Sequence, residues 1–195
     1  MTKHETPLIL ASNSPRRAAL LKQIGLHFKI IPPKVEESRK AGESAVKYVR
    51  RLAALKAEAV AVSHQKGLVI SADTVVLLGE EILEKPANEE EARTMLYKLR
   101  GKQHRVITGL ALVRKDPPFS RVSSVVTTVE FRELSSRDIE GYLATGEPFD
   151  KAGAYGIQGR GAALVKTIKG CYFNVVGLPL SSLAELLAEA NCPIW

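Results

Sequence analysis

Apolar and polar positions along the 195 residues follow two rhythms. The apolar run of residues 8–11, LILA, is too short for a helix and predicts a strand. It breaks at Ser12, and a helix is expected from Pro15 to about Ile24. Ser14 suits its N-cap, Pro15 its first position and Gly25 its stop. FKIIPP (28–33) reads as a second short strand halted by prolines. Residues 44–64 carry Val46, Val49, Leu52, Ala53 and Lys56 at spacings of three and four, which puts them on one side of a long helix. GLVISADTVVLLG (67–79) is almost continuously apolar and predicts a buried central strand, interrupted by Asp73 and Thr74. A GEE turn (79–81) follows it.

Asn88 and Glu91 predict a capping box before the helix 91–101. HRVITGLALVRK (104–115) and RVSSVVTTVEFREL (121–134) predict two long strands paired antiparallel through DPPF. Ser135 caps a helix ending at Gly146. A glycine-rich loop, 146–161, leads to the strand AALVKTIKG (162–170), the segment CYFNVVGLP (171–179) and a last helix, about Leu180–Ala190. Helices and strands alternate early, and antiparallel strands dominate the middle. The pattern predicts a mixed α/β sheet with helices packed on it. No repeat or long linker divides the chain, which suits one domain over 1–195.

Composition adds little to this. At 45% apolar and 25% charged residues, the chain has ample material for a core. No apolar run is long enough to span a bilayer. The start, MTKHETP, lacks a basic stretch followed by an apolar one, so no secretory leader is expected. Cys171 and Cys192 have neither metal-type nor disulfide-framework spacing, which points to structural thiols in a reducing compartment. The charge, 28 − 21 = +7, favours polyanionic partners. The basic residues are dispersed and aromatic residues make up only 6%, which argues against a nucleic-acid surface. A phosphorylated small molecule, or plain solubility, remains.

Four features suggest chemistry. In SNSPRR, a turn, a helix start and two arginines make an anion cradle from Ser14, Arg16 and Arg17. The bland reading is a solvated first turn, yet cations are unfavourable at that helix end. Asp73 lies inside an apolar strand, where an unpaired charge is costly. It is a candidate general base or metal ligand, or else a strand-end cap. Glu36 and Glu37, in KVEES, are candidate second carboxylates for Mg²⁺. Lys56 sits on the apolar stripe of its helix and must either snorkel out or meet an anion. In the glycine-rich loop, Gln158 offers an acceptor and a donor side by side, matching the imide edge of uracil or thymine among other partners.

ASNSPRR, SADTVV with the following EKP, GEPFDKAGAYGIQG and YFNVVGLP together resemble the Maf nucleotide pyrophosphatases, over about Leu8 to Leu187. The resemblance implies an elongated mixed α/β fold, like the inosine triphosphate pyrophosphatases, with flanking helices and a central cleft between two lobes. It implies a cytoplasmic enzyme that splits a nucleoside triphosphate between its α and β phosphates and requires Mg²⁺ or Mn²⁺. Asp73 matches the family's catalytic acidic residue, and Glu37 is the best match to the second. Arg16, Thr74 and Gln158 match positions tied to substrate choice; Arg17, Lys56 and Lys85 match positions expected to hold phosphates. Glutamine in AYGIQG matches the dTTP/UTP branch; a sister branch acting on 7-methyl-GTP typically has an acidic residue there. Asn13 stands where the family commonly has a glycine-like residue, a change a turn tolerates. No nucleic acid or membrane is implied, and a homodimer is. The family's older name, septum formation inhibitors, leaves a rival: a non-enzymatic, nucleotide- or nucleic-acid-binding regulator of septum formation.

Overall fold

The computed structural model describes residues 6–195, so the expectation of no secretory leader rests largely on residues outside those described. Among the described residues, seven strands and six α-helices follow one another as β1 (Leu8–Leu10), α1 (Pro15–Gln23), β2 (Phe28–Ile30), α2 (Ala45–Ala61), β3 (Leu68–Leu78), β4 (Glu81–Leu83), α3 (Glu89–Leu99), β5 (Gln103–Arg114), β6 (Phe119–Phe131), α4 (Ser136–Leu143), β7 (Val165–Lys169), α5 (Tyr172–Val176) and α6 (Leu180–Glu189). The strand order is β2-β1-β3-β5-β6-β7, with β4 paired to β3. β1 runs parallel to both β2 and β3, each reached through a helical crossover. β4 and β7 pair antiparallel with β3 and β6. β5 and β6 are neighbours joined by four residues, too few for a parallel crossover, so they form the expected hairpin. The sheet is therefore mixed, with helices around it. Among the described residues, no helix is long and apolar enough to cross a membrane.

The chain divides into two compact units. The first comprises residues 1–73, 108–125 and 177–195, and the second 74–107 and 126–176. In the first, α2 lays a face of alanines, Ala53, Ala57 and Ala61, against Ile9, Val69, Ala111 and Val113 of three strands. Small residues allow close approach, and Gly109 shows how close. A Cβ there would lie 2.2 Å from the carbonyl oxygen of Val49. Helix backbone and strand backbone nearly touch, which fixes the height of α2 above the sheet.

In the second unit, α3 and α4 bury Leu96, Leu99, Ile139 and Leu143 against Val76, Val129 and Phe131. His104, Phe131 and Tyr155 pack edge-on, with ring centroids 4.6–5.3 Å apart. The Nε2 of His104 lies 2.7 Å from the Tyr155 hydroxyl.

Most caps match the sequence pattern. Ser14, Ser44, Asn88 and Ser135 each cap their helix through the side chain. The box at Asn88 is only half built: Asn88 Oδ1 accepts from the Glu91 N–H at 2.9 Å, but the Glu91 carboxylate accepts from Ala87 N–H instead of Asn88. The complete box belongs to Ser135 and Asp138. Further differences are local. The GEE turn is really the tight turn at Gly79 into β4, a short strand that the long β3 recruits by antiparallel pairing. The helix from Pro15 ends at Gln23, with Ile24 as its C-cap. Strand β7 starts at Val165, because 159–164 coil into a 3₁₀ turn. CYFNVVGLP holds the short helix α5.

Burial pushes the His104 imidazole pKa down to about 4. The unfolded chain, near its ordinary value of about 6.5, takes up the proton first as pH falls. The neutral ring's contribution is therefore full above about pH 6.5 and is lost on descent toward pH 4, by about 3 kcal/mol. Urea unfolding at pH 7 and pH 4 should show this loss, and His104→Gln should shrink the difference between the two pH values.

Candidate active site

Strand β3 and helix α2 together build the charged centre of the first unit. Side chains two apart on a strand share a face, so Ser71 and Asp73 point the same way. Ser71 is fully buried and donates its hydroxyl hydrogen to the carbonyl of Ala53 on α2. Lys56 stands one turn further along α2 and meets Asp73. Its Nζ donates to Asp73 Oδ1 at 2.7 Å and to Glu37 Oε2 at 2.7 Å. Lys56 and Asp73 are only 6% and 8% exposed, whereas the Glu37 side chain is half open to solvent. Lysine on the apolar stripe thus meets two anions and does not snorkel to water.

Glu37 lies in an extended segment with no regular structure of its own. The start of α2 ties it down. The Tyr48 hydroxyl donates to the Glu37 carbonyl at 2.8 Å. Arg51 donates to the Ser38 carbonyl and, through two nitrogens at 2.7 Å each, to the Glu43 carboxylate. That fork holds the Glu43 pKa down at about 2. The choice left open between Glu36 and Glu37 is thereby made for the ion pair: Glu37 is the residue joined to Lys56.

The SNSPRR corner is wired inward. Ser12 is buried, and its Oγ accepts from the Ser14 N–H at 3.1 Å and from an Arg17 guanidinium nitrogen at 3.2 Å. Arg17 Nε donates to the Gly177 carbonyl at 2.8 Å, which couples this motif to VVGLP. Loss of water around the guanidinium lowers its pKa, while the Asp73 charge raises it. Arg16 and Glu37 also act on Arg17 electrostatically, so both arginines belong to the same field as the acidic pair. Arg17 still carries its charge.

Thr74, Lys85 and Gln158 lie in the second unit. Thr74 follows Asp73 on β3 and faces the opposite side of the strand. Lys85 is exposed just beyond β4. The adjacent Glu84 carbonyl accepts from Gly153 N–H at 3.0 Å, which joins the EKP segment to the glycine-rich loop. That loop is not structureless: residues 147–150, 152–154 and 159–164 form 3₁₀ turns. Gly153 has φ +67, and a Cβ there would strike Val76 at 2.9 Å. Gln158 is exposed between Ile157 and Gly159.

The donor set around Asp73 suits a hard divalent cation. Each carboxylate gives one oxygen to Lys56, and two carboxylates suffice for Mg²⁺ when substrate phosphates and water complete its shell. Among the described residues, no group of three or more His, Cys, Asp or Glu side chains could hold a metal unaided. Sequence reasoning missed Ser12, Tyr48, Arg51 and Gly177, the groups that position the charged residues. Only Tyr48 gave a signal, as a hydroxyl on the buried side of α2.

Residues 7–190 match the family of Maf-like proteins. A relative from Symbiobacterium thermophilum, named dTTP/UTP pyrophosphatase, is 48% identical over 188 residues, 96% of each chain. One of the same name from Salmonella typhimurium is 51% identical over 187 residues, covering 95% of this chain and 94% of its own. Among solved structures, a HAM1 protein from Coxiella burnetii superposes with a TM-score of 0.54 at 16% identity, covering 94% of this chain and 99% of its own, which supports the mixed α/β fold. With the family matched over nearly its whole length, the chain belongs to the Maf-like proteins.

Proposed function

We propose that this chain is a nucleoside triphosphate pyrophosphatase that converts dTTP and UTP, and pyrimidine triphosphates with modified bases, to the monophosphate and pyrophosphate. The observation that carries the reading is the buried Asp73 carboxylate on β3, held by Lys56 together with Glu37. The names of relatives about half identical over nearly their full length support the substrate class. Both units would serve one functional domain, 1–195, in the cytoplasm, alone or as a homodimer, with no need of nucleic acid.

Phosphoryl transfer asks a protein chiefly for positioning and charge neutralisation. Asp73 and Glu37 would hold Mg²⁺ or Mn²⁺, which when bound neutralises charge on the phosphate oxygens. Asp73 orients a water and takes its proton as the water oxygen attacks the α phosphorus. The bond from that phosphorus to the bridging oxygen breaks, and pyrophosphate leaves with the electron pair. Lys56 holds Asp73 and Glu37 in place through its two hydrogen bonds. Ser14, Arg16 and Lys85 bind phosphate oxygens and stabilise charge on the departing group. Arg17, which already donates to Ser12 and Gly177, chiefly sets the corner that presents them. Thr74 and Gln158 select the base, Gln158 by pairing with its imide edge.

A nucleotide panel with Mg²⁺ or Mn²⁺ should release pyrophosphate and not orthophosphate, fastest from dTTP and UTP. EDTA should stop release and either metal should restore it. Binding without any product would favour the septation regulator. Asp73→Asn should lower kcat about 10²–10⁴-fold and lower the melting temperature, because the buried Lys56 loses one of its two anions, while circular dichroism at about 25 °C still shows a folded protein. Gln158→Glu should lower dTTP and UTP turnover, because a carboxylate has no hydrogen to give a base carbonyl; equal rates across all bases would remove Gln158 from substrate choice.

A further inference from the structure

The proposed chemistry makes no use of Glu147, yet this carboxylate is spent entirely on one short stretch of backbone. It follows Gly146, whose φ of +75 ends the turn after α4. Thr145 sets its entry: the Thr145 Oγ1 donates to the Tyr142 carbonyl at 2.6 Å and accepts from Glu147 N–H at 3.1 Å. One Glu147 carboxylate oxygen then accepts from Arg160 N–H at 3.0 Å and the other from Gly161 N–H at 3.2 Å. These bonds, the Arg160 one first, hold its carboxyl pKa below the usual carboxylate range. Both donors lie just beyond Gln158, at two and three residues' distance.

The other side of the same turn is held from α4. The Tyr142 hydroxyl accepts from Gly156 N–H at 3.2 Å, two residues before Gln158. The two ends of the turn also touch. A Cβ on Gly161 would lie 2.2 Å from the Gly156 carbonyl oxygen and 2.7 Å from the Tyr142 hydroxyl. A Cβ on Gly159, at φ +65, would lie 2.8 Å from a Glu147 carboxylate oxygen. Glycine at 159 and 161 is therefore needed for the clamp to close. The result is a six-residue ring, 156–161, closed at its base and presenting the exposed Gln158 at its crown.

We infer that Glu147, with Tyr142, is a positioning residue for substrate choice, fixing the 156–161 turn so that Gln158 meets a pyrimidine base in one orientation. The inference rests on the proposed role of Gln158. A purely structural Glu147 would alter stability and leave selectivity untouched. A clamp on a reading group does the reverse, because a loosened amide still pairs but no longer discriminates by geometry.

The test is a double-mutant cycle on selectivity, read as kcat/KM for dTTP divided by that for dATP. Glu147→Ala should lower this ratio about tenfold, mainly through KM for dTTP, with kcat retained. Glu147→Gln, which keeps one acceptor oxygen, should recover part of the loss. In a Gln158→Ala background, Glu147→Ala should cause no further change. Equal, additive losses in both backgrounds, or an unchanged ratio, would overturn the inference. Amide hydrogen exchange at 156–161 should quicken in Glu147→Gln and in Tyr142→Phe while the core amides stay protected; unchanged exchange would also overturn it, and this readout stands even where Glu147→Ala does not fold. A wild-type protein with no preference for dTTP over dATP would count against the reading of Gln158 itself, whatever the exchange shows.

Discussion

A single ammonium group shared by two carboxylates organises the first unit. Lys56 and Asp73 are almost wholly withdrawn from water, and neither could be buried alone at tolerable cost. Removing one partner of such a pair costs about 3–5 kcal/mol, because it strands the other. Several neighbouring features serve this contact. The alanine face of α2 and the close approach at Gly109 bring the helix near enough for Lys56 to reach β3. The Ser71 bond to Ala53 sets the rotation of helix against strand. Tyr48 and Arg51 then carry an otherwise irregular segment to the same ammonium. Hydrophobic residues of similar volume would hold the fold as well or better. The expense of three charges in one place therefore argues for chemistry.

Much of this was legible from residue types and spacing. The period of α2 put Lys56 on the buried stripe, and the apolar run of β3 marked Asp73 as anomalous. Neither pattern could pair them, because pairing depends on which turn of α2 lies over which residue of β3. Glycine spacing decides that, and Gly109 looks like any glycine in a strand until the Val49 carbonyl is seen 2.2 Å from its absent Cβ. Glu37 illustrates a second limit. Its segment has no periodicity, and Glu36 and Glu37 are equivalent by composition; long-range bonds from Tyr48 and Arg51 distinguish them. Short elements were missed for a related reason. β4 has three residues and exists by pairing with β3, and the 3₁₀ turns of 147–164 exist by local bonds that no apolar pattern encodes.

Two arginines at the start of a helix posed the sharpest local conflict, since that end already bears partial positive charge. The structure resolves it for Arg17 through long-range partners. Its Nε meets a carbonyl 160 residues away, another guanidinium nitrogen meets the buried Ser12, and the Asp73 charge lies within its field. A lysine could not copy this geometry, because its three donors share one nitrogen, whereas Arg17 reaches its two partners from separate atoms, Nε and a terminal guanidinium nitrogen. The corner is thus a crosslink between the first and last motifs of the family match as well as an electropositive surface. That has a consequence for how the motif is understood. A cation recruited only to bind phosphate would hold no inward partners before substrate arrives. Arg17 holds at least two, Ser12 and Gly177, so it fixes Ser12 and the start of α1 before any ligand is present, and an anion arriving there would meet groups already set in place.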